Sequence, residues 1–260
     1  MIEPPPGTPD SPGTSGPAPR KAGERMDDLQ RRGFRIIQSP ALFRFGTDSV
    51  LLADFARVRG GERCVDLCCG AGAVGLLLLA RQADIQVCGV EIQPEAADLA
   101  RRNVALNGLG GRFSVHEGDI CTAHEALGKN EFTLAVCNPP YHKAGAALGS
   151  ADPRIRIARH AGELTAGEIA LAAARLIQSG GRFAVIYPAP RALEMLRALE
   201  DAGIAPKRLR TVHGVADRPP GHILIEGIKG AKAGLHWLAP LCLRDSQGQY
   251  TQEYRRIYNL

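Results

Sequence analysis

The run Val65-Asp66-Leu67-Cys68-Cys69-Gly70-Ala71-Gly72-Ala73-Val74-Gly75 begins apolar, turns on glycines and continues into an apolar stretch of helical length. A strand–turn–helix of this kind lets ligand atoms come close to backbone amides, because glycine has no Cβ to hold them off. A small molecule is expected here, at the carboxyl ends of the strands of an α/β sheet. Read as Gly70-x-Gly72-x-x-Gly75 with Glu91 at the next strand end, the run also satisfies the dinucleotide fingerprint. By itself it therefore does not choose between NAD and S-adenosylmethionine. Asp66 separates the two: a carboxylate at the strand end suits the cationic amino-acid part of S-adenosylmethionine and opposes a pyrophosphate.

Outward from this loop, short apolar runs alternate with helix-length segments. CVDL at 64–67 is followed by AVGLLLLARQ, IQVCGVE at 85–91 by PEAADLARRNVALNG, and RFAVIYP at 182–188 by RALEMLRALEDAG, with FSVHEG and FTLAVC between them. That alternation predicts a parallel sheet with helices on both faces. Pro94 in a first turn, and Gly108 and Gly203 where chains leave helices, punctuate it correctly. KRLRTVH at 207–213 and HILIEGIKG at 222–230 predict two further strands able to pair antiparallel. Residues 34–58 read as an extended lead-in, a Gly46-Thr47-Asp48 turn and an apolar helix that Asp48 or Ser49 can cap. The last 25 residues hold three of the five tyrosines and read as a docking segment.

Two more acids sit at strand ends. Glu91 is placed to accept hydrogen bonds from both ribose hydroxyls, and Asp119, after the FSVHEG run, from an adenine amino group. Together with Asp66 they describe a nucleoside site, and the neighbouring Cys68, Ile92 and Ile120 are expected to line it.

The FTLAVC run ends in Asn138-Pro139-Pro140-Tyr141, directly beside the first strand if the sheet is doubly wound. An aromatic exocyclic amine is a poor nucleophile because its lone pair is delocalised into the ring. Asn138 Oδ1 and the Pro139 carbonyl oxygen can each accept one amino proton, drawing the nitrogen towards tetrahedral geometry. The prolines fix φ and hold the second acceptor rigidly, and Tyr141 can stack on the flat target. No strong base is needed, since the amine becomes acidic only after methyl transfer; positioning does most of the catalysis.

Composition adds bounds. A chain of 260 residues, 45% hydrophobic, is long enough for one α/β catalytic domain. Residues 1–25 hold seven of the 18 prolines and too little apolar surface to offset chain entropy, so a disordered tail is expected. A single domain is expected over 26–260, with a lead-in at 26–60, a core at 61–230 and the docking segment at 231–260. A formal charge of +5 and a pI near 8.9 are compatible with a polyanionic partner without requiring one. The seven cysteines lack metal-ligand spacing and read as reduced, buried small hydrophobes, with no metal expected. No apolar run is long enough for a membrane span, and no signal sequence begins the chain, so a cytoplasmic protein is expected.

These residues resemble class I methyltransferases of the (N/D)PP(Y/F) amino-methylating group, and more narrowly the bacterial YfiC-like tRNA(Val) adenine-N(6)-methyltransferases. The likeness rests on Phe45-Gly46-Thr47-Asp48, VDLCCGAG, Glu91, Asp119, NPPY at 138–141, Ala158-Arg159-His160 with Leu164-Thr165, and the tyrosine-rich end. It implies a Rossmann-like sheet of seven strands, the last antiparallel, with the 45–49 turn closing over the cofactor through Gly46, Thr47 and Asp48. It further implies that Asp66, Gly70, Gly72, Glu91 and Asp119 bind S-adenosyl-L-methionine, while Asn138 to Tyr141 hold the target amine against it. The Pro-rich tail and Cys68-Cys69 depart from the family pattern.

RNA adenine, in a tRNA, is the leading acceptor. The segment 142–160 carries Lys143, Arg154, Arg156 and Arg159 against one acid, Asp152, which suits phosphate contacts around an extruded nucleotide. Lys207, Arg208 and Arg210 either extend that surface or form an ordinary solvated edge strand. The same tetrapeptide serves N5-glutamine methylation of a translation factor or ribosomal protein, but those enzymes usually carry an N-terminal helical domain, for which the roughly 35 residues expected to be ordered between the tail and the loop are too few. A DNA adenine methyltransferase needs a target-recognition region. A nicotinamide-dependent oxidoreductase leaves Asn138-Pro139-Pro140-Tyr141 without a task, and a non-catalytic RNA-binding module needs neither site.

Overall fold

A computed structural model describes residues 20–42, 45–140 and 164–259. The hairpin β1 (Arg25–Asp28) and β2 (Arg35–Gln38) leads into α1 (Thr47–Phe55). Then come β3 (Glu62–Leu67), α2 (Ala73–Arg81), β4 (Ile85–Glu91), α3 (Pro94–Leu106), β5 (Phe113–Glu117), the short α4 (Ala123–Leu127) and β6 (Phe132–Cys137). After residue 163 follow α5 (Ala166–Leu176), β7 (Ile177–Pro188), α6 (Ala192–Asp201), β8 (Ile204–Val215) and β9 (His222–Lys229). The chain closes with β10 (His236–Trp237), β11 (Leu241–Arg244) and α7 (Gln252–Tyr258).

Seven strands lie in the order β5-β4-β3-β6-β7-β9-β8. Strands β3 to β7 pair in parallel and β9 runs antiparallel to both β7 and β8, as the alternation of runs implies. The sheet has nine strands rather than seven, because β10 and β11 both pair with β8. The reason is physical: β8 would otherwise present a row of unpaired amides and carbonyls at the sheet edge. The C-terminal segment supplies partners for them.

Period-two alternation sorts the strand side chains to two faces. Cys64, Leu134, Val136, Ala184 and Ile186 pack with α1, α2, the hairpin and Ile257 of α7. Val65, Leu67, Ala135, Cys137, Val185 and Tyr187 pack with α4, α5 and α6. All seven cysteines are unpaired, and Cys64, Cys69, Cys88 and Cys137 are buried, in keeping with a small-hydrophobe role.

The hairpin is held to the sheet by asparagines of α3. Asn103, fully buried, accepts from the Ile37 amide at 2.6 Å and donates to the carbonyls of Ile37 and Ala71, both at 3.0 Å. Asn107 treats Arg35 the same way. Two carboxamides thus act as a strand would, completing the backbone hydrogen bonds of β2. Within the segment assigned from sequence to a disordered tail, Lys21 and Glu24 pair with Asp98 and Arg102 of α3 at 2.7 Å each; residues 1–19 lie outside the described residues.

Tight packing constrains the loop–helix junction. A Cβ on Gly75 would lie 2.5 Å from Phe113 Cζ and 3.0 Å from Val87 Cγ1, closer than atoms tolerate. Gly75→Ala is expected to destabilise the fold by about 1–3 kcal/mol, the usual cost of overpacking. Urea unfolding checks this, and an unchanged midpoint would show that Phe113 yields freely.

Candidate functional site

The loop after β3 takes a shape that its residues dictate. Cys68, Gly70 and Gly72 all have φ in the left-handed region, at 60°, 53° and 83°. The Cys69 amide donates to Val90 O at 3.0 Å and the Gly72 amide to Cys69 O at 2.8 Å. The chain therefore folds back across the ends of β3 and β4 before Ala73 starts α2. A Cβ on Gly70 would meet nothing within 4 Å, so this part of the loop faces open space.

Two of the three acids predicted to face a ligand, Asp66 and Glu91, also build the loop. Asp66 is only 1% exposed, and its Oδ2 accepts the Gly75 amide at 3.1 Å. Burial pushes its carboxyl up to about 7, against the lowering effect of the Gly75 hydrogen bond, and the nearby Glu91 pushes the same way. Asp66 thus sits beneath the loop rather than projecting into the cleft. Glu91, 5% exposed, accepts the Gly70 amide on Oε2 and the Gln93 amide on Oε1, each at 2.9 Å. Burial raises it, and the hydrogen bonds from Gln93, Gly70 and Ile92 oppose the rise. With those three amides on its two oxygens, the Glu91 carboxylate still has acceptor capacity for a ligand hydroxyl. Beside it Ile92 is 56% exposed, an apolar surface at the mouth of the cleft.

Asp119 is exposed and its Oδ1 accepts the Cys121 amide at 2.9 Å, while Ile120 is buried. The turn before α1 lies under the C-terminus. Gly46 is the N-cap of α1, and neither Asp48 nor Ser49 caps it, contrary to the reading from sequence. Thr47 hydrogen-bonds with the Tyr258 hydroxyl, whose phenol is raised chiefly by burial, and Asp48 lies 3.9 Å from His222.

The second half of the site leaves the sheet beside the first. Leu67 and Cys137 are paired across β3 and β6, so Cys68 and Asn138 emerge side by side where the strand order reverses, the usual place for a ligand in such sheets. Asn138 is half-buried, Pro139 buried and Pro140 exposed. Asn138 Nδ2 donates to Ser49 Oγ at 3.2 Å. Tyr141, Lys143, Arg154, Arg156, Arg159 and the Ala158-Arg159-His160 element lie outside the described residues.

Sequence reasoning missed Ser49 and Tyr258. Ser49 is 4% exposed, and a polar residue among the apolar side chains of α1 is the signal that might have flagged it. Of the basic residues on β8, Arg208 pairs with the fully buried Glu226 at 3.3 Å and lies over Phe55. Arg210 pairs with Glu253 at 2.7 Å and Lys207 donates to the Lys232 carbonyl. These side chains hold the fold together, which favours the structural alternative for that edge.

The sequence matches the family described as "Methyltransferase small domain" over residues 43–202. The chain belongs to that family. This methyltransferase is 31% identical over 227 residues, 86% of its length and 89% of the relative's, to the tRNA1(Val) (adenine(37)-N6)-methyltransferase of Yersinia pestis (strain Pestoides F). Its fold is that of a predicted O-methyltransferase, protein Atu636, from Agrobacterium tumefaciens, with a TM-score of 0.68 at 23% identity over 82% of this chain and 96% of that one. Geranyl diphosphate C-methyltransferase from Streptomyces coelicolor A3(2), solved with Mg2+, geranyl diphosphate and S-adenosyl-L-homocysteine, shares it at a TM-score of 0.50 and 15% identity over 70% of this chain and 78% of that one. Among the described residues, no helix is long and apolar enough to cross a membrane.

The raised Asp66 carboxyl has a consequence for stability. A folded-state value of about 7 lies above that of the unfolded chain, so the contribution favours the fold at low pH and is lost as pH rises towards 7. Asp66→Asn keeps an acceptor for the Gly75 amide without the charge. The variant is expected to gain melting temperature relative to the parent at about pH 8, with the difference shrinking towards about pH 5. Parallel curves across that range would show that Asp66 carries no such burden.

Proposed function

We propose that this methyltransferase transfers the methyl group of S-adenosyl-L-methionine to the exocyclic 6-amino nitrogen of an adenine in tRNA. The observation that supports the reading is the side-by-side exit of Cys68 and Asn138 from paired strands, which brings the Asn-Pro-Pro turn next to the glycine loop. The substrate class rests on the likeness to the tRNA1(Val) enzyme, which this chain matches over most of both lengths, and it implies work in the cytoplasm.

The cleft suits the cofactor. Gly70 opens on space, Glu91 keeps free lone pairs for ribose hydroxyls, and Ile92 offers an apolar face to the adenine ring. In this reading Asp66 adds negative potential beneath the loop for the ammonium, Asp119, exposed after β5, accepts from the adenine amino group, and the turn at Gly46, Thr47 and Asp48 closes over the cofactor. When bound, S-adenosyl-L-methionine supplies an electrophilic methyl on its sulfonium.

The chain's own residues ready the acceptor. Asn138 Oδ1 and the Pro139 carbonyl each accept a proton of the target NH2, which localises the nitrogen lone pair towards the cleft. Pro139 and Pro140 restrict the backbone, so the second acceptor needs no reorganisation. Tyr141 stacks on the base and excludes water. Lys143, Arg154, Arg156 and Arg159 take phosphates flanking the extruded nucleotide. No side chain serves as a strong base, since the proton is lost to solvent after transfer.

Incubation with methyl-labelled cofactor, total tRNA and ribosomal protein, followed by nucleoside and amino-acid analysis, is expected to give labelled 6-methyladenosine. Label confined to protein glutamine would overturn the acceptor. Asn138→Ala is expected to keep the thermal stabilisation given by S-adenosyl-L-methionine and to lose about 10²-fold or more in kcat; an undiminished kcat would remove Asn138 from the chemistry.

A further inference from the structure

A carboxamide offers two faces of opposite character and nearly equal shape, one accepting hydrogen bonds and one donating them. Turned the wrong way, Asn138 would present Nδ2 protons to the protons of an amine, and the site would repel what it is meant to hold. A neighbour that anchors the group by its donating end therefore serves the chemistry. The NPP backbone cannot do so alone, because the two orientations differ only by rotation about the last side-chain bond.

We infer that Ser49 is the positioning residue that anchors the Asn138 carboxamide by its Nδ2 end. Its Oγ accepts from Asn138 Nδ2 at 3.2 Å, which engages the donating end and leaves Oδ1 for the target. Ser49 is suited to the task by its rigidity. It is buried in the first turn of α1 beside Val50, Leu51, Leu52 and Ala53, and α1 packs on α2, β7 and α7. The residue lies 89 positions from its partner, on an element that contributes no other contact to the tetrapeptide among those described. Local capping does not explain a serine here, since the N-terminus of α1 has no side-chain cap. The inference rests on the assignment of Asn138 to the amine.

Ser49 acts through Asn138, so its effect belongs in turnover and not in cofactor binding. Ser49→Ala is expected to fold normally, because alanine is favourable in a helix. It should keep the parent's KM for S-adenosyl-L-methionine and lose about tenfold in kcat, less than removal of a direct contact costs. Ser49→Cys fills nearly the same volume with a poor acceptor. A positioning role gives this variant a kcat close to that of Ser49→Ala, whereas a packing role gives one close to the parent's and overturns the proposal. In the Asn138→Ala background, Ser49→Ala should cost nothing further, since contacting pairs are non-additive; an equal tenfold loss there also overturns it. If Asn138→Ala alone keeps full turnover, the assignment of the amine site fails. If Asn138→Ala is inactive and Ser49→Ala is fully active, only the role of Ser49 fails.

Discussion

The turn from β3 into α2 exists only because side chains are missing around it. The Phe113 ring occupies the space that a Cβ on Gly75 would need, and Cys69 Sγ lies 2.7 Å from where a Cβ on Gly89 would be. With those atoms absent, the loop lies down on β4 and is gripped from three sides. Asp66 takes the Gly75 amide, Glu91 the Gly70 amide and Asn103 the Ala71 carbonyl. A loop tied in this way needs no ligand to hold its shape, and binding then costs little ordering entropy.

That economy has a charge on the other side. Two carboxyl groups, Asp66 and Glu91, are buried beneath the loop; desolvation raises both, and Glu91 further disfavours the ionisation of Asp66. A soluble core without a function would replace them with neutral groups. A cleft that must receive an ammonium and a sulfonium gains from negative potential set in advance, in a medium where charges act more strongly than in water.

The same principle of pre-setting governs the acceptor half. Pro139 and Pro140 make the backbone carbonyl stiff, and α1 brings Ser49 to the carboxamide from far away in the chain. The C-terminus takes part from the opposite flank. Tyr250, Tyr254 and Tyr258 stack at centroid distances of 4.6 and 4.5 Å, and the last of them reaches Thr47 in the turn before α1. A segment that reads as a docking strip thus packs against α1, and it also closes the edge of β8.

Contiguous patterns in the chain were enough for the parallel βαβ order, the antiparallel β9, the glycine loop and the Asn-Pro-Pro turn beside it. Each depends on neighbours in sequence: hydrophobic period, missing Cβ atoms, fixed φ. The two added strands, the carboxamides of Asn103 and Asn107 that stand in for a strand, the burial of Asp66 and the reach of Ser49 and Tyr258 were decided by tertiary structure alone. They join residues tens to hundreds of positions apart, and a side chain's partner across such a gap depends on how the sheet twists and which face of a helix meets it. No local rule about propensity or spacing contains that information.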